Sequence, residues 1–181
     1  ATTNDVLTGG TFTSVNGQTG ANRYALLDYL GTSIKSIDMN FSANAAVNAI
    51  LPVPNTNDVI LFGSFTTYMG QAVNSVIRID RSGTINTEFN FTAAPNNNII
   101  LMATYDSNNN VYFTTNTGRV VKMNVNGTVD TTWGSSLTIS GSPAIWYDST
   151  INKFYISSDT RIYRVNIDGT QDNTFTPPVT N

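Results

Sequence analysis

The residues of this chain that could do chemistry are its carboxylates, because it has eleven Asp and one Glu but neither Cys nor His. Two carboxylates ~5 to 9 Å apart, one of them with a raised pKa, could hydrolyse a glycosidic bond. Without Cys and His there is no thiolate nucleophile, no imidazole base and no disulfide, and the usual ligands of zinc, copper and haem are missing. We therefore predict no metal and no cofactor.

The spacing of the carboxylates favours turns over catalysis. Asp28 and Asp80 each stand three residues before a Gly-Thr pair, whereas Asp130 and Asp172 each stand three residues after the glycine of one. Equivalent positions in successive segments are what structural repetition predicts. Hydrolysis of carbohydrate is therefore the least favoured function, and we expect no catalytic residue.

Two glycine-containing segments, 124–130 and 166–172, place oxygen side chains at alternating positions. Calcium loops of the EF-hand type have a similar pattern, but they need a bidentate Glu several residues beyond the glycine. Glu88 is the only Glu of the chain. We therefore interpret both segments as turns between strands.

The composition narrows the range of partners. Charged residues make up 12% of the chain and the net charge is −3, which argues against nucleic acid as a partner. Asn, Thr and Ser account for 66 of 181 residues, a composition that suits β-structure with a neutral, hydrogen-bonding surface. No segment approaches the ~20 apolar residues needed to cross a bilayer, so we predict no membrane insertion.

A repeat runs through the whole chain. The Gly-Thr pair recurs at intervals of 52, 44 and 42 residues, and each pair is followed by an aromatic residue. The glycines are Gly31, Gly83, Gly127 and Gly169, and the aromatics are Phe41, Phe89, Trp133 and Phe175. A single domain of four repeats results, with approximate limits 1–46, 47–93, 94–137 and 138–181.

Each repeat predicts short β-strands. Alternating segments precede the Gly-Thr pairs, at 24–28, 76–80, 120–124 and 162–166. Other strand-like segments come before these, at 6–10, 59–63, 111–115 and 154–158, and third apolar runs occur at 47–53, 99–105 and 144–147. A fourth strand is expected from each Gly-Thr pair to its aromatic.

Four short strands in ~45 residues are typical of a β-propeller blade. A lone blade has two apolar faces and needs a neighbour on each, so the recurring aromatics should pack between blades. The predicted fold is all-β, a β-propeller of about four four-stranded blades with the first blade incomplete, or a segment of a larger propeller. A missing part could come from another subunit, so a homo-oligomer is possible.

Two glycine-rich segments resemble the delta-60 repeat, a β-propeller repeat of bacterial surface proteins and phage virion proteins. They are Gly9–Gln18 followed by 22–28, and Phe62–Gln71 followed by 74–80. The endings at 126–133 and 168–175 resemble the same family, although repeats three and four lack the glycine-rich segment. The resemblance implies a propeller in an extracellular or virion setting and supplies no catalytic residue.

The loops Thr13–Asn22 and Thr66–Asn74 are the longest connections within blades and should project from one face. Their amide and aromatic side chains could hydrogen-bond to sugars and stack on them. The candidate ligand-binding residues are Asn16, Gln18, Asn22, Tyr68, Gln71 and Asn74. The alternative interpretation is structural: Asn16-Gly17 only makes a turn, while Phe12 and Phe65 fill the blade.

The sequence thus favours a non-enzymatic binding module on an extracellular or virion surface. A phage tail-fibre or receptor-binding domain, or a surface adhesin, that recognises a cell-surface glycan fits best. A structural or assembly protein that contacts a neighbouring virion or surface protein is the alternative.

Overall fold

The computed structural model of this chain describes residues 6–19, 23–27, 43–80, 82–91 and 99–177. Within these ranges the regular structure consists of antiparallel β-strands without a helix, so the predicted all-β class is confirmed. The chain divides into two compact units, residues 1–87 and 88–181. The aromatic Phe41, predicted to pack between blades, lies outside the described residues.

The first unit contains two main sheets and two small hairpins. Its strands are β1 (Val6–Gly9), β2 (Ser14–Val15), β3 (Gln18–Thr19), β4 (Tyr24–Leu27), β5 (Val47–Pro52), β6 (Val59–Gly63), β7 (Thr67–Tyr68), β8 (Gln71–Ala72) and β9 (Val76–Ile79). Strand β1 pairs with β4, and β6 lies between β5 and β9. The pairs β2–β3 and β7–β8 form the small hairpins within the two glycine-rich segments.

The second unit contains two sheets, which correspond to repeats three and four. Its strands are β10 (Ile100–Tyr105), β11 (Val111–Thr115), β12 (Val120–Met123), β13 (Val129–Asp130), β14 (Ile145–Asp148), β15 (Lys153–Ser157) and β16 (Ile162–Asn166). Strands β10 to β13 form one sheet in chain order, and β14 to β16 form the other. Every pairing is antiparallel, as short turns between consecutive strands require.

The cores lie between successive sheets. In the second unit, Tyr112 of β11 and Phe154 of β15 are both fully buried, and their ring centroids are 4.4 Å apart. Trp133 joins them with its ring 4.9 Å from that of Tyr112, and its indole N–H donates to the Ile167 carbonyl at 2.9 Å. The prediction that Trp133 packs between blades is therefore confirmed.

The first unit has an equivalent core. Residues from both of its sheets and from the second hairpin bury their side chains together, namely Tyr24, Ala43, Val47, Leu61, Phe65, Tyr68, Ile77 and Ile79. Full burial of each Val, Leu, Ile or Phe side chain in this set contributes about 1.5–3 kcal/mol to folding. Phe65 is fully buried, so the expectation that it fills the blade is confirmed.

The predicted fourth strand is much shorter than expected. It exists only as the two-residue strand β13, and elsewhere in the described ranges single bridges replace it, Ile79 with Ile85 and Val165 with Gln171. The reason is local. The carboxylates of Asp130 and Asp172 accept the backbone N–H two residues on, from Thr132 and Thr174, and so turn the chain away from the sheet.

Gly63→Ala should destabilise the first unit strongly. A Cβ at position 63 would lie against the backbone carbonyl oxygen of Ala46, which cannot move without breaking its bond to the Ser64 N–H. The control is Gly70→Ala in an exposed turn, where a Cβ meets no atom within 4 Å and only left-handed strain of about 1 kcal/mol is added. Urea unfolding should show a larger fall in the free energy of unfolding for Gly63→Ala than for Gly70→Ala. Equal falls for the two variants would contradict this packing.

Candidate functional site

The two small hairpins share one turn geometry. Asn16-Gly17 has φ angles of 50° and 76°, and Met69-Gly70 has φ angles of 50° and 74°. Both angles are left-handed in each turn, which is the type I′ geometry favoured between short antiparallel strands. The interpretation of Asn16-Gly17 as a turn dipeptide is confirmed, and a second turn of the same form occurs without Asn.

Hydrogen bonds anchor the second hairpin, β7–β8, to the rest of the first unit. The Tyr68 hydroxyl donates to the Gly83 carbonyl at 3.0 Å. Asn44 reaches across from the chain before β5, and its Oδ1 accepts the backbone N–H groups of Thr66 at 2.8 Å and Thr67 at 3.0 Å. These bonds hold the hairpin against the core, so its turn presents side chains from a rigid support.

The structure places three of the predicted binding residues at the surface. Asn16 is exposed at the first turn, and Gln71 and Asn74 are exposed on the second hairpin and just after it. Gln18 lies in β3, and Asn22 lies outside the described residues.

Tyr68 needs a correction. It was predicted to project with the loop, but its side chain is fully buried because it faces the core and satisfies its hydroxyl there. Burial, with the nearby Tyr24 and Asp80, raises the pKa of Tyr68 well above its usual value. It cannot stack on a sugar from this position, so it is withdrawn as a ligand-binding candidate.

Two cavities are candidate sites. In the second unit, a cavity of about 370 Å³ is lined by Arg119, Val121, Asp130, Trp133 and Leu137 among others. In the first unit, a smaller cavity of about 190 Å³ is lined by Leu7, Tyr24, Leu26, Asp58 and Asp80 among others. Only the smaller cavity brings two carboxylates to one place.

The carboxylates at both cavities are already engaged. Asp58 pairs with the Arg78 guanidinium at 2.8 Å, and Asp80 accepts the Ser82 hydroxyl at 2.6 Å. That hydroxyl and the backbone N–H groups of the same turn hold the pKa of Asp80 below its usual range. Bonds from the hydroxyl and backbone of Thr132 lower the pKa of Asp130 to about 2. A glycosidase acid needs the opposite shift.

The oxygen-rich turns also use their side chains internally. In the segment 124–130, Asn124 Oδ1 accepts the N–H groups of Asn126 at 3.0 Å and Thr128 at 3.1 Å. In the segment 166–172, Asp168 accepts the N–H and hydroxyl of Thr170. The same turn forms at the buried Asp106, whose carboxylate accepts hydrogen bonds from the backbone N–H groups of Asn108 and Asn110. Within the described ranges, no three acidic side chains cluster as a metal site would require.

The sequence analysis missed one exposed aromatic residue. Trp146 of β14 is 59% exposed, although its neighbours Ile145 and Tyr147 turn inward towards the core of the second unit. Its ring stacks on that of Tyr155 with centroids 5.8 Å apart and an interplanar angle of 26°. The sequence pattern could have revealed it. Successive side chains of a strand point to opposite faces, so Trp146, between two inward-facing residues, must point outward.

The comparisons with known proteins agree with this architecture. Residues 57–89 match the model of a family described as domain of unknown function (DUF5122) beta-propeller. Part of the chain carries β-propeller sequence. A search of curated proteins found no match.

Solved structures are similar over most of the chain. A virginiamycin B lyase from Staphylococcus aureus aligns with a TM-score of 0.59 at 16% identity, over 97% of this chain and 59% of its own. A streptogramin B lyase aligns with a TM-score of 0.56 at 18% identity, over 93% of this chain and 58% of its own. A protein of unknown function from Bacteroides thetaiotaomicron aligns with a TM-score of 0.56 at 15% identity, over 83% of this chain and 38% of its own.

These likenesses establish the fold alone, and with the sheets described above they confirm the predicted β-propeller. The chain spans between 38% and 59% of the length of these solved structures. The part of the chain that the structure describes contains no helix with the length and hydropathy of a membrane span.

Asp172→Asn should destabilise the second unit at neutral pH. The buried Asp172 accepts Lys153 Nζ and Arg164 Nε, each at 2.8 Å, and bonds from Lys153 and Thr174 hold its pKa well below the usual range. The control is Asp148→Asn, because the printed bonds of the Asp148 carboxylate go to Thr150 of its own turn. Thermal unfolding at pH 7 should show a larger fall in Tm for Asp172→Asn.

The difference between wild type and Asp172→Asn should depend on pH. A carboxyl with a lowered pKa stabilises the fold fully above its unfolded pKa of about 3.9, and this stabilisation is lost as pH falls towards the folded pKa. The Tm gap should therefore be constant from pH 7 to about 5 and should narrow below about 4. A gap that widened on acidification would contradict the assigned ion pairs.

Proposed function

We propose that this chain is a non-enzymatic binding module of a larger propeller protein, and that its two type I′ hairpins recognise a neutral polar ligand, namely a cell-surface glycan. One observation carries the proposal: the first unit builds the same turn twice and, at the second hairpin, holds it on a fully buried base. Exposed side-chain amides on a rigid support can bind hydroxyl groups with little loss of entropy.

The ligand class follows from the groups at the turns. Asn16, Gln71 and Asn74 are exposed, and each carries an amide that both donates and accepts hydrogen bonds. Sugar hydroxyls have the same dual character and carry no charge. A neutral glycan therefore matches these groups better than an anion does, since an anion would call for Arg or Lys.

The setting is proposed from the repeat itself. The delta-60 resemblance of segments 9–18 and 62–71 points to a bacterial surface or phage virion protein, and the family match over residues 57–89 includes the second hairpin. A chain without Cys or His also has no thiol to oxidise and keeps its charge between about pH 5 and 8, which is compatible with a setting outside the cell.

A second candidate function is assembly with a neighbouring protein. The observation that favours it is the exposed Trp146 together with Tyr155, on which it stacks, on the outward face of the sheet formed by β14 to β16, because contiguous exposed apolar side chains mark contact surfaces. Enzymatic hydrolysis is not proposed. It needs a carboxyl with a raised pKa, whereas the pKa shifts of the described aspartates are all downward.

Binding of the full chain to a glycan array tests the proposal. Gln71→Ala and Asn74→Ala should each weaken binding to any sugar that the wild type binds on the array. Loss of one hydrogen bond costs about 0.5–1.5 kcal/mol, which corresponds to a 2- to 10-fold loss of affinity. The control is Asn173→Ala, which removes an exposed amide in the second unit and should leave affinity unchanged. A folded chain that binds no sugar, or binding that ignores Gln71 and Asn74, would overturn the proposal.

A further inference from the structure

Part of the edge of β12 is left open in the sheet formed by β10 to β13. Strand β13 has two residues, and they pair with Lys122 and Met123 of β12. If β13 continued in this register, Thr132 would lie opposite Val120. The Thr132 N–H instead donates to Asp130 Oδ1 at 3.0 Å. The chain therefore turns away before β13 reaches Val120.

The backbone groups of Val120 point towards this opening. Along a strand that lies between two others, successive residues direct their N–H and C=O groups alternately to the two neighbours. Arg119 directs its carbonyl to the β11 side, where it accepts the Thr115 N–H at 2.9 Å. Asn124 bonds on the β13 side, where its N–H donates to the Thr128 carbonyl at 3.0 Å. Val120 lies one residue after Arg119 and four before Asn124, so it directs its donor and its acceptor to the β13 side.

A cavity of about 370 Å³ adjoins this open edge. Arg119, Val120 and Val121 line one part of it, and Trp133 and Leu137 are among the later residues that complete the lining. Trp133 is buried and Leu137 packs against the same core, so these two side chains give the cavity an apolar wall. Ligand pockets measure ~300–1,000 Å³, so this cavity can take a side chain of a bound molecule.

The Arg119 guanidinium at this cavity carries a charge that no carboxylate of the described residues neutralises. Three other cations of the second unit each pair with an aspartate, namely Lys122, Lys153 and Arg164. Arg161 occupies the corresponding position in the sheet formed by β14 to β16, and its guanidinium lies 4.4 Å above the Tyr163 ring. Val121 stands where Tyr163 does, so Arg119 lacks this support as well. An anion can therefore bind Arg119 without displacing a partner.

The carboxylate that lines the cavity is already compensated. Asp130 Oδ2 lies 3.4 Å from Lys122 Nζ, and its Oδ1 accepts the Thr132 hydroxyl at 2.7 Å. Because the charge of Lys122 offsets that of Asp130, the uncompensated charge at the cavity is that of Arg119. A bound molecule with a carboxylate complements this charge.

We propose that this cavity and the open edge of β12 bind a short extended peptide that carries an apolar side chain next to a carboxylate. Val120 pairs with one residue of the peptide, in the place that Thr132 would take in a longer β13. The apolar side chain enters the cavity, and the Arg119 guanidinium binds the carboxylate by a charge-assisted hydrogen bond. This carboxylate is either the C-terminus of the peptide or an acidic side chain. The site lies within the second unit and does not depend on the hairpins proposed to bind a glycan.

Calorimetric titration of the full chain with acetyl-Thr-Val-Leu, whose C-terminus is free, tests the proposal alongside two related peptides. The amide of the same peptide lacks the carboxylate, and the amide of acetyl-Val-Leu-Glu carries it on a side chain. At least one of the two carboxylate peptides should bind about 10-fold more tightly than the neutral amide, since hydrogen bonds to charged groups are the stronger ones. The tighter peptide identifies the source of the carboxylate. If neither binds at millimolar concentration, the proposal is wrong.

Substitution of Arg119 separates a specific site from a general effect of charge. Arg119→Gln should lower the affinity for the tighter peptide about 10-fold, to the level of the neutral amide. Arg161→Gln is the matched control, because it removes the corresponding guanidinium of the other sheet, and it should leave the affinity unchanged. Equal losses for the two variants, or no loss for Arg119→Gln, would overturn the proposal.

Two further measurements test the cavity and the edge. Replacing Leu by Ala in the tighter peptide should weaken binding about 10-fold or more, since the smaller side chain leaves the cavity unfilled. Exchange of the Val120 amide proton with solvent, followed by NMR, should slow when the peptide binds. An unchanged exchange rate in the complex would contradict pairing with β12. Arg119→Gln should bind sugars as the wild type does, so this proposal and that of glycan binding can fail separately.

Discussion

The structure depends on one constraint: a blade sheet has two apolar faces and is stable only when neighbours cover them. In the second unit this covering is the contact of Tyr112 with Phe154, closed by Trp133. The first unit meets the same requirement with Leu61, Ile77 and Phe65. Local antiparallel pairing makes each sheet, but burial between sheets supplies most of the stability.

That constraint also commits most of the described aspartates to structural turns. Most described aspartates cap turns that end strands, so their oxygens are occupied by the backbone and their pKa values fall. On the second hairpin, by contrast, the amides of Gln71 and Asn74 are exposed. The proposal of a binding module for a neutral ligand rests on this division, since a carboxylate that donates a proton in catalysis needs a raised pKa.

The repeats differ from one another at particular positions. Equivalent positions carry different residues according to what covers them, and Thr104 and Trp146 illustrate this on adjacent sheets. Repeats one and two carry the hairpins, whereas the fourth repeat carries the exposed Trp146. Specialised features thus sit where the repeat departs from its own pattern, since the shared positions are committed to packing.

The sequence by itself determined the all-β class, the four repeats and the positions of most strands, because alternation and turn residues act over a few neighbours. It also determined that Asn16-Gly17 forms a turn. Only the tertiary structure decided that Tyr68 points into the core, that the fourth strand shrinks to β13, and that Trp146 stays exposed. These outcomes depend on which sheet lies opposite each face, and such contacts between distant segments are not encoded in local spacing.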